Sequence, residues 1–444
     1  MELTQTRSGS RLPMTDSHVC AQELIDFIDF SPSPWHAVAR CEELLQAAGF
    51  VRLSEAERWN LRAGGSYYVV RGGASIIAFV MGAQNAAETG LRIVGAHTDS
   101  PGLRLKPRPA EEVQGIFRLG VEVYGGPLLA TFADRDLGLA GRVNVRSGDG
   151  YATHLVHFEE PLLRLPNLAF HMNREVNEGG LKFNKQTELP LLFGVADKDG
   201  KADQRFRDLL AKRLALDPEA LLTWDLCACD TQKGTFWGVD REFIAHRQLD
   251  NLASCHAALS ALLTIKAPSA TCLCAFFDHE EVGSESAAGA GGSFLADVIG
   301  RLAAAVGLDG EDQRRMLARS FFISADMAHA WHPNFPAAYE PGHRVMVNGG
   351  PVIKSNANQR YSTSAETAAR FMAICAEAGV PCQQYAHRSD LGCGSTIGPI
   401  VAARLGIASV DVGTPMWAMH SIRESAGVLD HRYMISALGS AFRT

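Results

Sequence analysis

The sequence predicts an α/β fold with a mostly parallel sheet flanked by helices and an inserted, mostly β domain. Short apolar strands alternate with amphipathic helices near both ends of the chain, which is typical of a parallel sheet covered on both faces. The middle of the chain breaks this alternation, because it contains short strands, many turns and little helical periodicity.

The first part of the chain contains two helices followed by strands. Helical periodicity covers residues 20–30 and 35–48, and the proline-containing segment Ser31-Pro32-Ser33-Pro34 separates the two helices. Apolar runs then predict strands over residues 67–70, 75–81 and 91–96.

In the middle of the chain, the residue pattern predicts strands over 116–124, 139–145 and 153–158, and a helix over 203–216. The α/β alternation then resumes, with helices predicted over 249–265, 293–306, 364–378 and 395–405, and strands over 271–277, 321–325, 383–386 and 408–412. We therefore predict a discontinuous α/β domain (14–100 and 236–444), an inserted β-rich domain (101–235) and a flexible N-terminal arm (1–13).

Composition excludes several classes of protein. The 444 residues are 46% hydrophobic and carry a net charge of −7, which does not indicate nucleic-acid binding. No apolar run is long enough to span a membrane, and the polar start of the chain lacks the apolar core of a signal peptide. The ten cysteines are scattered without a C-x-x-C pair, which predicts reduced thiols in a cytoplasmic protein.

A pair of adjacent acids directly follows the apolar strand predicted over residues 271–277. Glu280 and Glu281 lie at the end of this buried strand, where charge is costly unless it is paired or bound to metal. One carboxylate could coordinate a metal while its neighbour takes a proton from water. Considered alone, the pair is better explained by a solvated turn than by a metal site.

Other metal-binding side chains occur where strands end or helices begin. Because residues i and i+2 of a strand share a face, Asp99 is placed to orient His97. The carboxyl ends of parallel strands meet at one edge of a sheet, so several of these side chains are expected to lie together. Histidines and carboxylates without clustered cysteines suit zinc, manganese or cobalt. The candidate ligands are His97, Asp250, Glu281, Asp326 and His420.

These residues lie in segments that together resemble the aspartyl aminopeptidase family of cytosolic two-metal exopeptidases. The resemblance extends from about residue 25 onward, with further matches at residues 31–34, 351–354, 359–361 and 394–399. The main segments are His97-Thr98-Asp99-Ser100-Pro101-Gly102, Asp250-Asn251, Asp278-His279-Glu280-Glu281-Val282-Gly283-Ser284, Ser324-Ala325-Asp326-Met327-Ala328-His329-Ala330 and Met419-His420-Ser421-Ile422-Arg423-Glu424.

The resemblance implies a catalytic domain that binds two divalent ions, with zinc favoured and manganese or cobalt as alternatives. His97 and Asp326 would hold one ion, Glu281 and His420 the other, and Asp250 both. Glu280 would be the general base, Asp99 a catalytic carboxylate, and Tyr361 the residue that stabilises the oxyanion. An ordinary half-buried aromatic is the alternative for Tyr361.

The resemblance also implies the substrate and the assembly. The substrates would be peptides with free N-termini. Lys354 would contact an acidic N-terminal side chain, although a surface lysine at a strand end is the alternative. His171 of the inserted dimerisation domain would reach a neighbouring active site in a homododecamer built from dimers. From the sequence alone, His171 is a strand histidine with satisfied hydrogen bonds.

We therefore expect a metallo-aminopeptidase that releases N-terminal residues, chiefly Asp and Glu. The alternatives are an aminopeptidase that prefers neutral residues, and a non-catalytic assembly protein that retains an enzyme fold. Loss of the general base would mark the assembly protein, whereas Glu280 is present in this chain.

Overall fold

The computed structural model describes residues 16–196 and 201–444, so the predicted arm of residues 1–13 lies outside the described part. Its strands are β1 (Val51–Leu53), β2 (Ser66–Arg71), β3 (Ser75–Val80), β4 (Leu91–His97), β5 (Gly102–Val113), β6 (Ile116–Tyr124), β7 (Leu137–Ser147), β8 (Gly150–Leu163), β9 (Leu191–Val195), β10 (Leu221–Asp230), β11 (Thr235–Trp237), β12 (Phe243–His246), β13 (Thr271–Phe277), β14 (Phe321–Ala325), β15 (Ala328–His329), β16 (Val352–Ser355), β17 (Gln383–Ala386), β18 (Ala408–Gly413), β19 (Pro415–Trp417) and β20 (Glu424–Gly427).

Its α-helices are α1 (Asp16–Asp29), α2 (Pro34–Ala47), α3 (Ala86–Thr89), α4 (Val176–Gly179), α5 (Ala202–Leu214), α6 (Leu249–Leu263), α7 (Phe294–Ala305), α8 (Gly310–Arg319), α9 (Ala365–Ala378), α10 (Ile397–Leu405) and α11 (Val428–Arg443). Every helix and strand predicted from the sequence is present, with ends that differ by a few residues.

The largest sheet has nine strands in the order β1-β2-β3-β13-β4-β14-β18-β16-β17. Its central strands β13, β4, β14 and β18 are parallel neighbours, and the pairings of β3 with β13 and of β18 with β16 are antiparallel. The fold class predicted from the sequence is therefore confirmed.

Alternation along the central strands fills two separate hydrophobic layers. Cys272 and Cys274 of β13 pack towards α1, α2, α6, α9 and α11, whereas Leu273 and Phe277 pack towards α7, α8 and α10. Both layers are buried, and burying each large apolar side chain is worth about 1.5–3 kcal/mol. The sheet is thereby held rigidly between its helices, which fixes the positions of its strand ends.

A second sheet occupies the middle of the chain and is antiparallel throughout, in the order β8-β7-β10-β5-β6-β9. Helix α5 packs against it through buried Phe206 and Leu210. This separate sheet fits the predicted inserted β-rich region, while the exact domain limits stay a prediction. A smaller five-stranded sheet has the order β11-β12-β20-β19-β15.

All ten cysteines lie in the described part of the chain and are free thiols. Among the described residues, no helix combines the length and apolar character needed to cross a bilayer.

Two buried histidines join α6 to α11. Nδ1 of His256 lies 2.8 Å from Nε2 of His431, and the rings stack with centroids 5.0 Å apart. Burial, with a contribution from the nearby Arg40 guanidinium, lowers the pKa of His256 to about 4. Burial also lowers the pKa of His431, as does its contact with His256. Both rings are therefore neutral in the folded protein at neutral pH.

We predict that this pair makes the protein sensitive to acid. Because the folded-state pKa of His256 lies below its unfolded value, its neutral form supports full stability above pH 6.5, and stability falls as the pH drops towards 4. The loss for His256 is about 3 kcal/mol over this range. In urea unfolding, His256→Asn should be less stable than wild type at pH 8, and the difference should shrink at pH 5. A difference that does not change with pH would contradict this origin.

Candidate metal centre

Three neighbouring parallel strands of the nine-stranded sheet end at one edge. β4 lies between β13 and β14, so the carboxyl ends of all three strands point the same way. Ligands of α/β proteins bind at such edges. The side chains gathered here are His97 at the end of β4, Glu280 and Glu281 after β13, and Asp326 after β14.

Two further candidate ligands approach this edge from outside the three strands. Asp250 lies in the first turn of α6, and His420 lies between β19 and β20. The carboxylate of Glu424 on β20 holds both, because it accepts hydrogen bonds from the backbone N–H groups of Asp250 at 3.0 Å and His420 at 2.7 Å. Burial and the charge of Asp250 raise the pKa of Glu424. No role for Glu424 is predicted from the sequence.

The Asp250 carboxylate lies between the two histidines. Its Oδ1 is 3.4 Å from Nε2 of His97, and its Oδ2 is 3.5 Å from Nε2 of His420. Asp326 Oδ1 lies 3.6 Å from Nε2 of His97, and Glu281 Oε2 lies 3.5 Å from Nε2 of His420. The cluster thus has two halves, each with one histidine and one acid, and both halves share Asp250.

Both histidines are oriented with Nε2 towards the acids. Nδ1 of His97 lies 3.0 Å from the carbonyl of Asp99, and Nδ1 of His420 lies 3.0 Å from the carbonyl of Gly126. Because a carbonyl oxygen only accepts hydrogen bonds, each Nδ1 carries the proton and donates it. When the ring is neutral, each Nε2 presents a lone pair to the acids, which is how histidine ligands are commonly held in metal sites.

The cluster fits a divalent cation. Ligand atoms of His97, Asp250 and Glu281 all lie within 4.8 Å of one another, and the buried Oδ1 of Asp250 accepts no hydrogen bond. Such an unpaired buried oxygen is costly unless a cation or proton is nearby. Nitrogen and oxygen ligands without thiolates suit zinc and related ions.

The acids of the cluster repel one another. Burial raises the pKa of Glu280 to about 8, and the nearby charges of Asp326, Asp99 and Asp250 contribute. Burial and the Asp250 charge also raise the pKa of Glu281 well above its ordinary value. Burial disfavours the charged form of His97, but the surrounding carboxylates outweigh it and raise that pKa. Cations would relieve this repulsion by replacing the protons that the acids otherwise retain.

Asp99 organises the turn that carries the paired glutamates. Its carboxylate is fully buried and accepts hydrogen bonds from the backbone N–H groups of Glu280 and Glu281, both at 3.1 Å. The carboxylate also lies near the His97 ring, with Oδ1 3.4 Å from Nδ1, although the hydrogen bond of that ring goes to the Asp99 carbonyl.

Lys354 and Tyr361 form another wall of the site, and both are buried. The Lys354 ammonium donates to the Met327 carbonyl at 3.0 Å, lies 3.6 Å from Oδ2 of Asp326, and is 5.0 Å from the centroid of the Tyr361 ring. The alternative of a surface lysine at a strand end is therefore wrong, because β16 is covered here.

A buried acid ties two loops of this wall together. Asp411 on β18 accepts hydrogen bonds from the backbone N–H of Ser362 at 2.6 Å, from its hydroxyl at 2.7 Å, and from the hydroxyl of Thr396 at 2.5 Å. Ser362 follows Tyr361, and Thr396 lines the cavity. The two loops are thus anchored to the same strand.

The five candidate ligands line one open cavity of about 460 Å³, together with Glu280, Lys354 and Tyr361. His329 also lines it, although the sequence analysis left this residue unassigned. Burial and the nearby Lys354 charge lower the pKa of His329 to about 4, so its ring is neutral at physiological pH. The single signal in the sequence was its position three residues after Asp326.

His171 lies apart from the residues that line this cavity. It is exposed on the short 3₁₀ turn Phe170–Met172 of the middle region. The expectation of a strand histidine is therefore wrong, since residues 170–172 form a helical turn rather than a strand.

Comparison with known proteins matches this arrangement to a peptidase family. The family model described as aminopeptidase I zinc metalloprotease (M18) matches residues 27–442. A protein of Stutzerimonas stutzeri, described as a probable M18 family aminopeptidase 2, is 48% identical over 425 residues, which cover 95% of this chain and 97% of that protein. The chain belongs to the M18 family.

Solved structures of relatives share the fold. A chain of the Ape4 and Nbr1 complex is 38% identical, covers 96% of this chain and 86% of its own, and superimposes with a TM-score of 0.93. The S. cerevisiae mApe1 dodecamer is 28% identical, with 96% of each chain covered and a TM-score of 0.83. Membership of this family of zinc metallo-aminopeptidases confirms the resemblance seen in the sequence.

We predict that Asp250→Asn weakens zinc binding by about 100-fold or more, because the shared carboxylate loses one oxygen and its charge. Zinc affinity would be measured by competition with a chelating dye. Asp430→Asn is a matched control, since Asp430 is equally buried but bonds the backbone of Asn348 and Gly350. Equal zinc affinity in the two variants would argue against a shared ligand.

Proposed function

We propose that this M18 family member is a two-metal aminopeptidase that removes acidic residues from the N-termini of peptides. His97 and Asp326 would hold one ion, Glu281 and His420 the other, and Asp250 would serve both. The observation that carries this proposal is the Asp250 carboxylate, which directs one oxygen to each histidine at 3.4 and 3.5 Å. The zinc family supports zinc over manganese or cobalt.

When bound, the ions would lower the pKa of water and polarise the scissile carbonyl. Glu280 would act as the general base, because it lines the cavity and its Oε2 lies 4.0 Å from Nε2 of His97. It would accept a proton from the attacking water and then donate that proton to the leaving amine. Asp99 would keep Glu280 in place through its hydrogen bonds to the turn.

Tyr361 would donate a hydrogen bond to the oxyanion that forms at the carbonyl. Its side chain lines the same cavity as Glu280. Burial and the nearby Cys393 thiol raise the pKa of Tyr361, so its hydroxyl keeps its proton and remains a donor.

The acidic preference would come from Lys354. Its ammonium is buried beside the cluster, so a carboxylate of the substrate would meet a cation with little competing water. The neutral His329 ring next to it could donate a second hydrogen bond without adding charge. This pairing favours Asp or Glu at the first position over neutral residues.

We also propose that the chain assembles as a homo-oligomer, as the mApe1 dodecamer does. The exposed turn that carries His171 presents the large apolar side chains Leu168, Phe170 and Met172, which are 68, 51 and 75% exposed. Such a patch is typical of a subunit interface. Assembly of dimers would bring His171 to a neighbouring site. The ten free thiols favour the cytoplasm as the location.

We predict that Glu280→Gln lowers kcat by about 100- to 10,000-fold and leaves zinc affinity within a few-fold, because the amide cannot accept the proton. Hydrolysis would be measured on aminoacyl substrates with free amines, with and without chelator. A matched control is Glu285→Gln, since Glu285 is exposed and pairs with Arg404. If well-folded, zinc-loaded wild type hydrolyses none of these substrates, the enzyme proposal fails in favour of a non-catalytic assembly protein.

We predict that Lys354→Met lowers kcat/KM for Asp and Glu substrates about 10- to 100-fold relative to a Leu substrate, since one charge-assisted hydrogen bond is lost. The ratio of the two substrates corrects for any shift of Asp326, which lies 3.6 Å away. Lys354→Arg, which keeps the charge, should retain part of the preference. If the wild type prefers the Leu substrate, the proposed acidic specificity is wrong and the neutral alternative takes its place.

A further inference from the structure

The end of strand β6 of the six-stranded sheet lies beside the candidate metal centre. Tyr124 is the last residue of this strand, and Gly125 and Gly126 follow it. We call these three residues the β6 brace. Each of them lies next to a different part of the candidate metal cluster.

Tyr124 contacts the buried acid beneath the paired glutamates. Its hydroxyl donates a hydrogen bond to Oδ2 of Asp99 at 2.7 Å. That carboxylate also accepts hydrogen bonds from the backbone N–H groups of Glu280 and Glu281 at 3.1 Å. The Tyr124 hydroxyl is therefore two hydrogen bonds from the backbone of the general base.

The tyrosine ring is itself held in place. The side chain is 9% exposed, and the Arg104 guanidinium of the neighbouring strand β5 lies 3.4 Å from the ring centroid. The fixed ring keeps the hydroxyl within hydrogen-bond distance of Asp99. A freely rotating side chain could not hold the carboxylate in one orientation.

The two glycines bring the brace close to the ligands. The Gly126 carbonyl accepts the hydrogen bond from Nδ1 of His420 at 3.0 Å. Gly125 has a φ of +66°, and a Cβ at this position would lie 3.1 Å from Cβ of Glu281. A side chain at Gly125 would therefore be strained and would crowd the glutamate turn.

We propose that Tyr124 is a positioning residue, which sets the place of the Glu280 carboxylate by fixing Asp99. This inference rests on the proposed function, because it assigns the base to Glu280. Without the hydroxyl, Asp99 would keep its two backbone donors but lose the only side-chain O–H that holds it in the described structure. The glutamate turn could then shift, and the base would spend less time at the correct distance from the water.

The alternative is that the Tyr124 hydroxyl only satisfies a buried acid and contributes to stability. Tyr68 provides a matched control, because it is also a buried tyrosine whose hydroxyl is hydrogen bonded, to Gln46 at 2.7 Å, on a strand away from the cluster. Tyr68→Phe likewise removes one hydroxyl hydrogen bond, which Tyr68 accepts from the Gln46 amide, and should leave catalysis unchanged.

The test compares Tyr124→Phe and Tyr68→Phe in the full-length zinc enzyme. For Tyr124→Phe we expect kcat to fall about 10- to 100-fold, with KM and zinc affinity within twofold of wild type. The decrease in Tm should be similar for the two variants. Equal kcat values for the two variants, measured with an active wild type, would overturn the positioning role.

A second comparison tests whether the hydroxyl acts through the base. In a Glu280→Gln background, adding Tyr124→Phe should lower the residual kcat by less than twofold, because no base remains to be positioned. A further 10-fold loss in this background would overturn the inference. An inactive wild type would instead indicate failure of the proposed function itself.

Discussion

The candidate metal centre depends on one constraint, which is that the five candidate ligands and Glu280 share a small, largely buried space. The Asp250 carboxylate is 3% exposed and still approaches both histidines within 3.5 Å. Charges so close to a hydrophobic core repel one another and lose hydration. The surrounding structure has to hold them together. Bound divalent cations would make this crowding of charges favourable.

Three buried acids outside the ligand set do much of this holding. Asp99 fixes the turn after β13, Glu424 fixes the backbone of Asp250 and His420, and Asp411 fixes the two loops of the opposite wall. Each acid accepts hydrogen bonds from two different segments of the chain. The sheet therefore brings these segments close together, and the hydrogen bonds to the buried acids then fix the distances between them.

Much of this arrangement could be predicted from the sequence because it follows from local patterns. Continuous apolar runs located β4, β13 and β14, and the shared direction of these parallel strands then brought His97, Glu281 and Asp326 to one edge. Helix α11 was not predicted, although ten of its sixteen residues are buried. Lys354 is buried by contacts with residues far away in the sequence, and the Tyr124 contact with Asp99 also joins distant segments. No local sequence pattern reveals either contact.

The order of the ligands along the chain also affects how the protein is made. His97 is synthesised early and His420 late, and the whole six-stranded sheet lies between His97 and Asp250. A chain still growing on the ribosome therefore has only one histidine beside the shared carboxylate. The complete set of candidate ligands is therefore present only once His420 has been made, after the six-stranded sheet and the central strands of the nine-stranded sheet.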